Sequence, residues 1–163
     1  MAAAISHFGR LEVLVNNTGI GVSSPRPDAE TRLPSLEEFS GPVWNRFFAI
    51  NVTAPMLLTR AAVPMMRAAG WGRIINNATS FRTMLRVLPY GATKAALEAS
   101  SAVWAAELAG SGIAVNMLIP GGPTDAPFIG AESGWARHAM LRPSIMGSPL
   151  AWLVSDKAGN FTG

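Results

Sequence analysis

The sequence predicts an α/β fold in which one parallel sheet is covered by helices. Three observations carry that prediction. Short β-branched, apolar runs recur at 12–16, 73–78 and 113–119, segments of helical periodicity separate them, and each run ends in a turn-forming cluster. Strand, helix, strand, helix, strand at this spacing means consecutive βαβ crossovers, which demand parallel strands with helices packed on them.

The first run, LEVLVNN, reaches its turn at Asn16-Asn17-Thr18-Gly19. A polar, proline-punctuated loop follows from Gly21 to Ser40. Over 43–69 the apolar residues Trp44, Phe47, Phe48, Val52, Leu57, Leu58, Ala61 and Met65 recur at helical spacing, with a bend or break predicted at Pro55 and Pro64. Gly70 and Gly72 end that helix. The second run, RIINNA, leads to Thr79-Ser80, and a helix is predicted over 90–108 from its alanine-rich, apolar face behind Pro89. The third run, IAVNMLI, stops at Pro120-Gly121-Gly122. Beyond it the pattern is less regular, with a short helix near 149–154 and a Gly-Asn-Phe-Thr-Gly turn at the end.

A chain of 163 residues fits one domain, 1–163, with a single core. Hydrophobic residues at 49% against charged ones at 14% predict an apolar surface or a large partner interface. Eleven arginines and two lysines meet ten acids without forming a basic stripe, which argues against a nucleic-acid partner. No apolar run of bilayer length stands free of Arg, Asn, Gly or Pro, and the start MAAAISHFGR lacks the order of a signal peptide, so the reading is cytoplasmic with no membrane partner. With no cysteine and two isolated histidines, thiolate metal sites, disulfides and a cysteine nucleophile are excluded and a metal site is poorly supported.

The stretch PYGATKAALE places the only tyrosine, Tyr90, four residues before Lys94, one of two lysines. Residues four apart share a helix face, so the two are neighbours whether they form a catalytic pair or merely open a helix. Functional residues of open parallel sheets gather at the carboxyl ends of the strands. A hydroxyl after the second strand and the Tyr/Lys pair on the next helix then meet at one rim.

Taken together these motifs resemble the short-chain dehydrogenase/reductase family. FGRLEVLVNNTG resembles the family's fourth strand and its Asn-Asn-Ala-Gly turn, with Thr18 for alanine, and WNRFFAINVTAP resembles the helix that carries the active-site asparagine, here Asn51. GRIINNATS resembles the fifth strand and its catalytic serine, PYGATKAALE the Tyr-x-x-x-Lys helix, GIAVNMLIPGGPT the sixth strand and its Pro-Gly turn, and WLVSDKAGNFTG a family ending. The resemblance implies a partial Rossmann-like doubly wound sheet, equivalent to strands four to six with helices on both faces. It implies an NAD(P)-dependent oxidoreductase acting on a secondary alcohol or ketone, with Asn51, Ser80, Tyr90 and Lys94 catalytic. Asn16, Gly19, Tyr90, Lys94, Pro120, Gly121 and Thr124 fall on the cofactor side. In that scheme Tyr90 exchanges the substrate proton, Lys94 lowers its pKa from about 10, the serine hydroxyl bonds the substrate oxygen, and Asn51 holds a water in a proton relay. The helices 43–69 and 90–108 become a homo-oligomer interface.

Two departures qualify the resemblance. Ser80 stands ten residues before Tyr90 where the family places its serine about a dozen before, so either Ser80 or Thr79 supplies the hydroxyl. The family's Thr-Gly-x-x-x-Gly-x-Gly turn, whose amides hold the cofactor pyrophosphate, has no counterpart in these residues, nor does the position that selects NAD or NADP. Weak NAD(P) binding follows, with slow or absent turnover, and a non-catalytic association module stands as the alternative reading. Phe128, Ile129, Trp135, Met140 and Ile145 suggest an apolar lid over the substrate.

Overall fold

The computed structural model describes residues 2–21, 28, 32–127 and 129–163. Phe128 and residues 22–27 and 29–31 of the expected loop from Gly21 to Ser40 lie outside the described residues. The elements are α1 (Ala2–Phe8), β1 (Val13–Asn16), α2 (Gly41–Phe48), a π-helical turn (Ala49–Thr53), α3 (Ala54–Ala69), β2 (Gly72–Asn77), α4 (Phe81–Met84), α5 (Tyr90–Glu107), β3 (Ile113–Leu118) and α6 (Gly147–Leu153). The three strands form one parallel sheet in the order β1-β2-β3.

Register sets the layers. Leu14, Ile74 and Val115 stand side by side across the sheet. Under α3 and α5 they join Ala62, Met66, Ala105, Leu108 and Ile113 in the core. On the opposite face the chain end takes over. Arg73 and Asn116 reach the carbonyls of Gly159 and Phe161 at 3.0 Å each, and Leu153 of α6 is buried. The Thr162 hydroxyl and the Gly163 amide meet the backbone of Val115, so the outer side of β3 is partly covered. β1 is the other edge, with Val15 41% exposed.

The helix expected over 43–69 forms without the predicted break. Ser40 caps α2 by accepting from the Val43 amide, and the Ala54 amide bonds back to Ala49 across the π-turn. Pro55 directly follows the π-helical turn, whose wider bonding, from the Ala54 amide to the Ala49 carbonyl, accommodates a residue without a donor, and Pro64 is carried inside the helix. The continuous rod Gly41–Ala69 is therefore long and apolar enough to cross a membrane by length and composition, which corrects the expectation that no segment reaches that length. Its inner side, with Phe47, Asn51, Thr59, Ala62 and Met66, packs into the protein. Gly70 ends it in the left-handed region at φ 66°. Gly72 instead opens β2, paired with Ile113, and has no room for a side chain, since a Cβ there would stand 2.6 Å from the Met66 sulfur.

Candidate functional site

The strand ends converge as the topology requires. β1 delivers Asn16 to Ile20, β2 delivers Asn77 to Ser80, and α5 begins at Tyr90 beside them. Lys94 is 5% exposed and donates from Nζ to the Asn77 carbonyl at 2.7 Å. The same Nζ lies 5.7 Å from the centroid of the Tyr90 ring. Tyr90 in turn shares a side-chain hydrogen bond with Thr79.

Burial governs both titrations. It pushes the Tyr90 phenol up from 10.0 to about 12, with the Thr79 hydrogen bond pulling the other way, and pushes the Lys94 ammonium down from 10.5 to about 8. The lowered tyrosine pKa expected from the lysine is not what the protein alone produces. Desolvation of the phenolate outweighs an ammonium directed at a backbone carbonyl.

The two candidate hydroxyls separate clearly. Ser80 is the N-cap of α4, where its Oγ accepts from the Thr83 amide at 3.3 Å and stands 3.1 Å from the Thr83 hydroxyl. Thr79, one residue earlier, faces Tyr90. The segment expected as a shortened loop over 81–88 thus begins with a capped helical turn.

Asn51 sits in the π-turn, 1% exposed. Its Oδ1 accepts from the Ile20 amide at 2.9 Å, and its Nδ2 donates to the Ile20 carbonyl at 3.0 Å and to Thr93 Oγ1 at 3.1 Å. The side chain assigned to a water relay is therefore committed to protein partners. Gly19 lies against it: an added Cβ would stand 3.1 Å from Asn51 Oδ1 and 3.8 Å from Lys94 Nζ.

Asn16, expected on the cofactor side, points into the sheet face instead of the rim. Its Nδ2 lies 2.7 Å from Asn76 Oδ1 and 3.5 Å from Thr59 Oγ1, and Asn76 passes the chain on to Ser101 of α5 at 2.7 Å. Pro120 and Gly121 follow β3, Gly121 at φ 89°, and the Thr124 hydroxyl bonds the Gly122 carbonyl at 3.3 Å. Of the expected lid residues, Trp135 and Ile145 are about half exposed and Met140 is buried. Thr93, Asn76 and Ser101 escaped the sequence reading, although the eight-residue interval from Thr93 to Ser101 marks one face of α5.

The family model for short chain dehydrogenases matches residues 1–132. The chain is 35% identical over 137 residues to a short-chain type dehydrogenase/reductase of Picea abies, covering 83% of this chain and 48% of that one. It is 32% identical over 123 residues to a D-beta-hydroxybutyrate dehydrogenase of Rhizobium meliloti, covering 74% and 44%. Among solved structures, the TT0495 protein of Thermus thermophilus superposes with a TM-score of 0.76 at 29% identity, covering 99% of this chain and 68% of its own. A gluconate 5-dehydrogenase of Burkholderia cenocepacia, solved with NADP and tartrate, shares the fold with a TM-score of 0.78 at 24% identity, covering 98% and 63%. The chain belongs to the short-chain dehydrogenase/reductase family. It spans less than half the length of the two curated relatives named.

Proposed function

We propose that this chain carries the proton-transfer side of a cytoplasmic NAD(P)-dependent oxidoreductase that interconverts a secondary alcohol and a ketone. The observation that supports it best is the Thr79–Tyr90 hydrogen bond, with Lys94 docked beside the ring on the Asn77 carbonyl. A phenol held near 12 is fully protonated at neutral pH and suited to give its proton to an oxygen gaining negative charge, the direction of ketone reduction. Thr79 Oγ1, rather than Ser80, is the hydroxyl that bonds that oxygen, because Ser80 is occupied in capping α4. Lys94 keeps positive charge at the rim, and its burial makes that charge act through little water.

The nicotinamide end of the cofactor fits these residues. Lys94 and Tyr90 offer an ammonium and a hydroxyl for ribose oxygens, and Gly19, with no side chain, lets the β1 loop lie close against Asn51 and Lys94, where a Cβ would stand 3.1 Å from Asn51 Oδ1 and 3.8 Å from Lys94 Nζ. Pro120, Gly121 and Thr124 lie at the neighbouring strand end. When bound, the nicotinamide supplies or accepts the hydride. The 163 residues contain no glycine-rich strand-turn-helix for the pyrophosphate, so several charge-assisted hydrogen bonds, at roughly 1.5 to 3 kcal/mol each, are missing and affinity is expected to be weaker by several powers of ten than with them.

The test is reduction of a panel of simple ketones at saturating NADH or NADPH. Slow turnover is expected, lost in Tyr90→Phe, reduced on the order of 100-fold in Thr79→Val and retained in Ser80→Ala. A rate indifferent to Tyr90→Phe contradicts the reading. The second reading, an association module without turnover, is favoured by the exposed Trp44, Met56, Leu57 and Leu58 on the α2–α3 rod and Val103 on α5.

A further inference from the structure

Thr93 is fully buried in the first turn of α5, one residue before Lys94 and three after Tyr90. Its hydroxyl does two things at once. It donates to the Tyr90 carbonyl at 2.7 Å and accepts from Asn51 Nδ2 at 3.1 Å. Back-bonding to a preceding carbonyl is ordinary for a helical threonine, and Ser100 does the same to Ala96. Acceptance from another element is what sets Thr93 apart.

Asn51 fixes the far end of the link. Both its remaining bonds go to the backbone of Ile20, at 2.9 and 3.0 Å, in the loop that follows β1. One amide and one hydroxyl thus join the β1 loop, the π-turn and the residue that bears the phenol. Ser101, two turns along the same face of α5, repeats the arrangement: it bonds the Leu97 carbonyl at 2.7 Å and accepts from Asn76. That second link holds the middle of the helix to β2. The first holds the end that carries Tyr90 and Lys94.

We propose that Thr93 is a positioning residue: its hydroxyl, bridging Asn51 and the Tyr90 carbonyl, sets the seat of the first turn of α5 against the strand ends and thereby the placement of Tyr90 and Lys94. The proposal rests on the reading of those two residues as the proton-transfer pair. Without the hydroxyl, an amide hydrogen of Asn51 and one bond to the Tyr90 carbonyl lose their partner in a buried place, and the turn shifts or admits water to recover them. Lys94, docked on Asn77, then sits in wetter surroundings.

The chain has two lysines, so a lysine side chain labelled with carbon-13 gives two resonances, and Lys157→Arg identifies that of Lys94. The experiment follows the Lys94 resonance against pH in the wild type, Thr93→Val and Thr93→Ser, with circular dichroism confirming the fold. The midpoint, near 8 in the wild type, is expected to rise by about half a pH unit or more in Thr93→Val and to return in Thr93→Ser. A folded Thr93→Val with an unmoved midpoint, or equal shifts in both variants, overturns the proposal. If Thr93→Val does not fold, hydrogen exchange in the wild type decides: the Thr93 hydroxyl and Asn51 amide protons must exchange together with the first-turn amides of α5, and separate exchange overturns it. Turnover by Tyr90→Phe tests the proton-transfer reading by itself, so the two ideas can fail independently.

Discussion

Lys94 is where burial and charge pull hardest against each other. Its folded pKa of about 8 lies below the unfolded 10.5, so between these values the unfolded chain holds a proton that the folded one has released. Stability therefore rises with pH across that window, by an amount on the order of 3 kcal/mol. Tyr90 runs the other way. Its phenol stays protonated up to about 12 in the fold but ionises near 10 when unfolded, so stability falls above pH 10. Denaturation followed from neutral to strongly alkaline pH should give a maximum slightly above roughly pH 10, where the two opposing slopes cancel, and Lys94→Met should remove the rising limb. A flat or falling profile from pH 7.5 to about 9.5 would contradict the burial of Lys94. Tyr90 and Lys94 were legible in the sequence because tyrosine and lysine are so rare in it. The choice between Thr79 and Ser80 was not, since neighbouring residues leaving a strand point to opposite sides and a one-residue offset decides which hydroxyl meets the phenol. Thr93 was silent for another reason: a threonine on a helix carries no mark of whether an amide from a distant turn will meet it.

Among the elements, the strands were read from their β-branched runs to within a residue of the observed ends, and α5 to within one as well. The π-turn was not, because its cause is tertiary. Extra backbone at Ala49–Thr53 lets Asn51 turn inward to Ile20 while α2 and α3 keep a shared apolar side. The turn α4 was missed because it has only four residues, and the serine that caps it also matched a catalytic motif. Gly91 fixes how α4 meets α5. A Cβ there would overlap the backbone of Met84, and the Gly91 amide bonds the Val87 carbonyl. Gly91→Ala should destabilise the protein by about 1 to 3 kcal/mol, read as a lowered urea midpoint with unchanged slope. A midpoint equal to that of the wild type would mean that α4 moves aside freely.

At the scale of the whole molecule, the described residues form a three-stranded sheet with two different edges. β3 is partly covered by Thr162 and Gly163, whereas β1 leaves Val15 exposed in a shallow groove with Ala54, Pro55 and Leu58 of α3. Exposed edges pair with other chains, so light scattering should find dimers or larger species, shifted toward monomer by Val15→Lys. A monodisperse wild-type monomer with a cooperative thermal transition would overturn that expectation. The central proposal is that these residues offer a nicotinamide-side cofactor site and no adenosine-side one, and the Lys94 resonance tests it most directly. Millimolar NADPH and nicotinamide mononucleotide should both move the Lys94 signal saturably and leave Lys157 in place, while adenosine monophosphate moves neither. A response to adenosine monophosphate, or none to the mononucleotide where NADPH gives one, would contradict the claim.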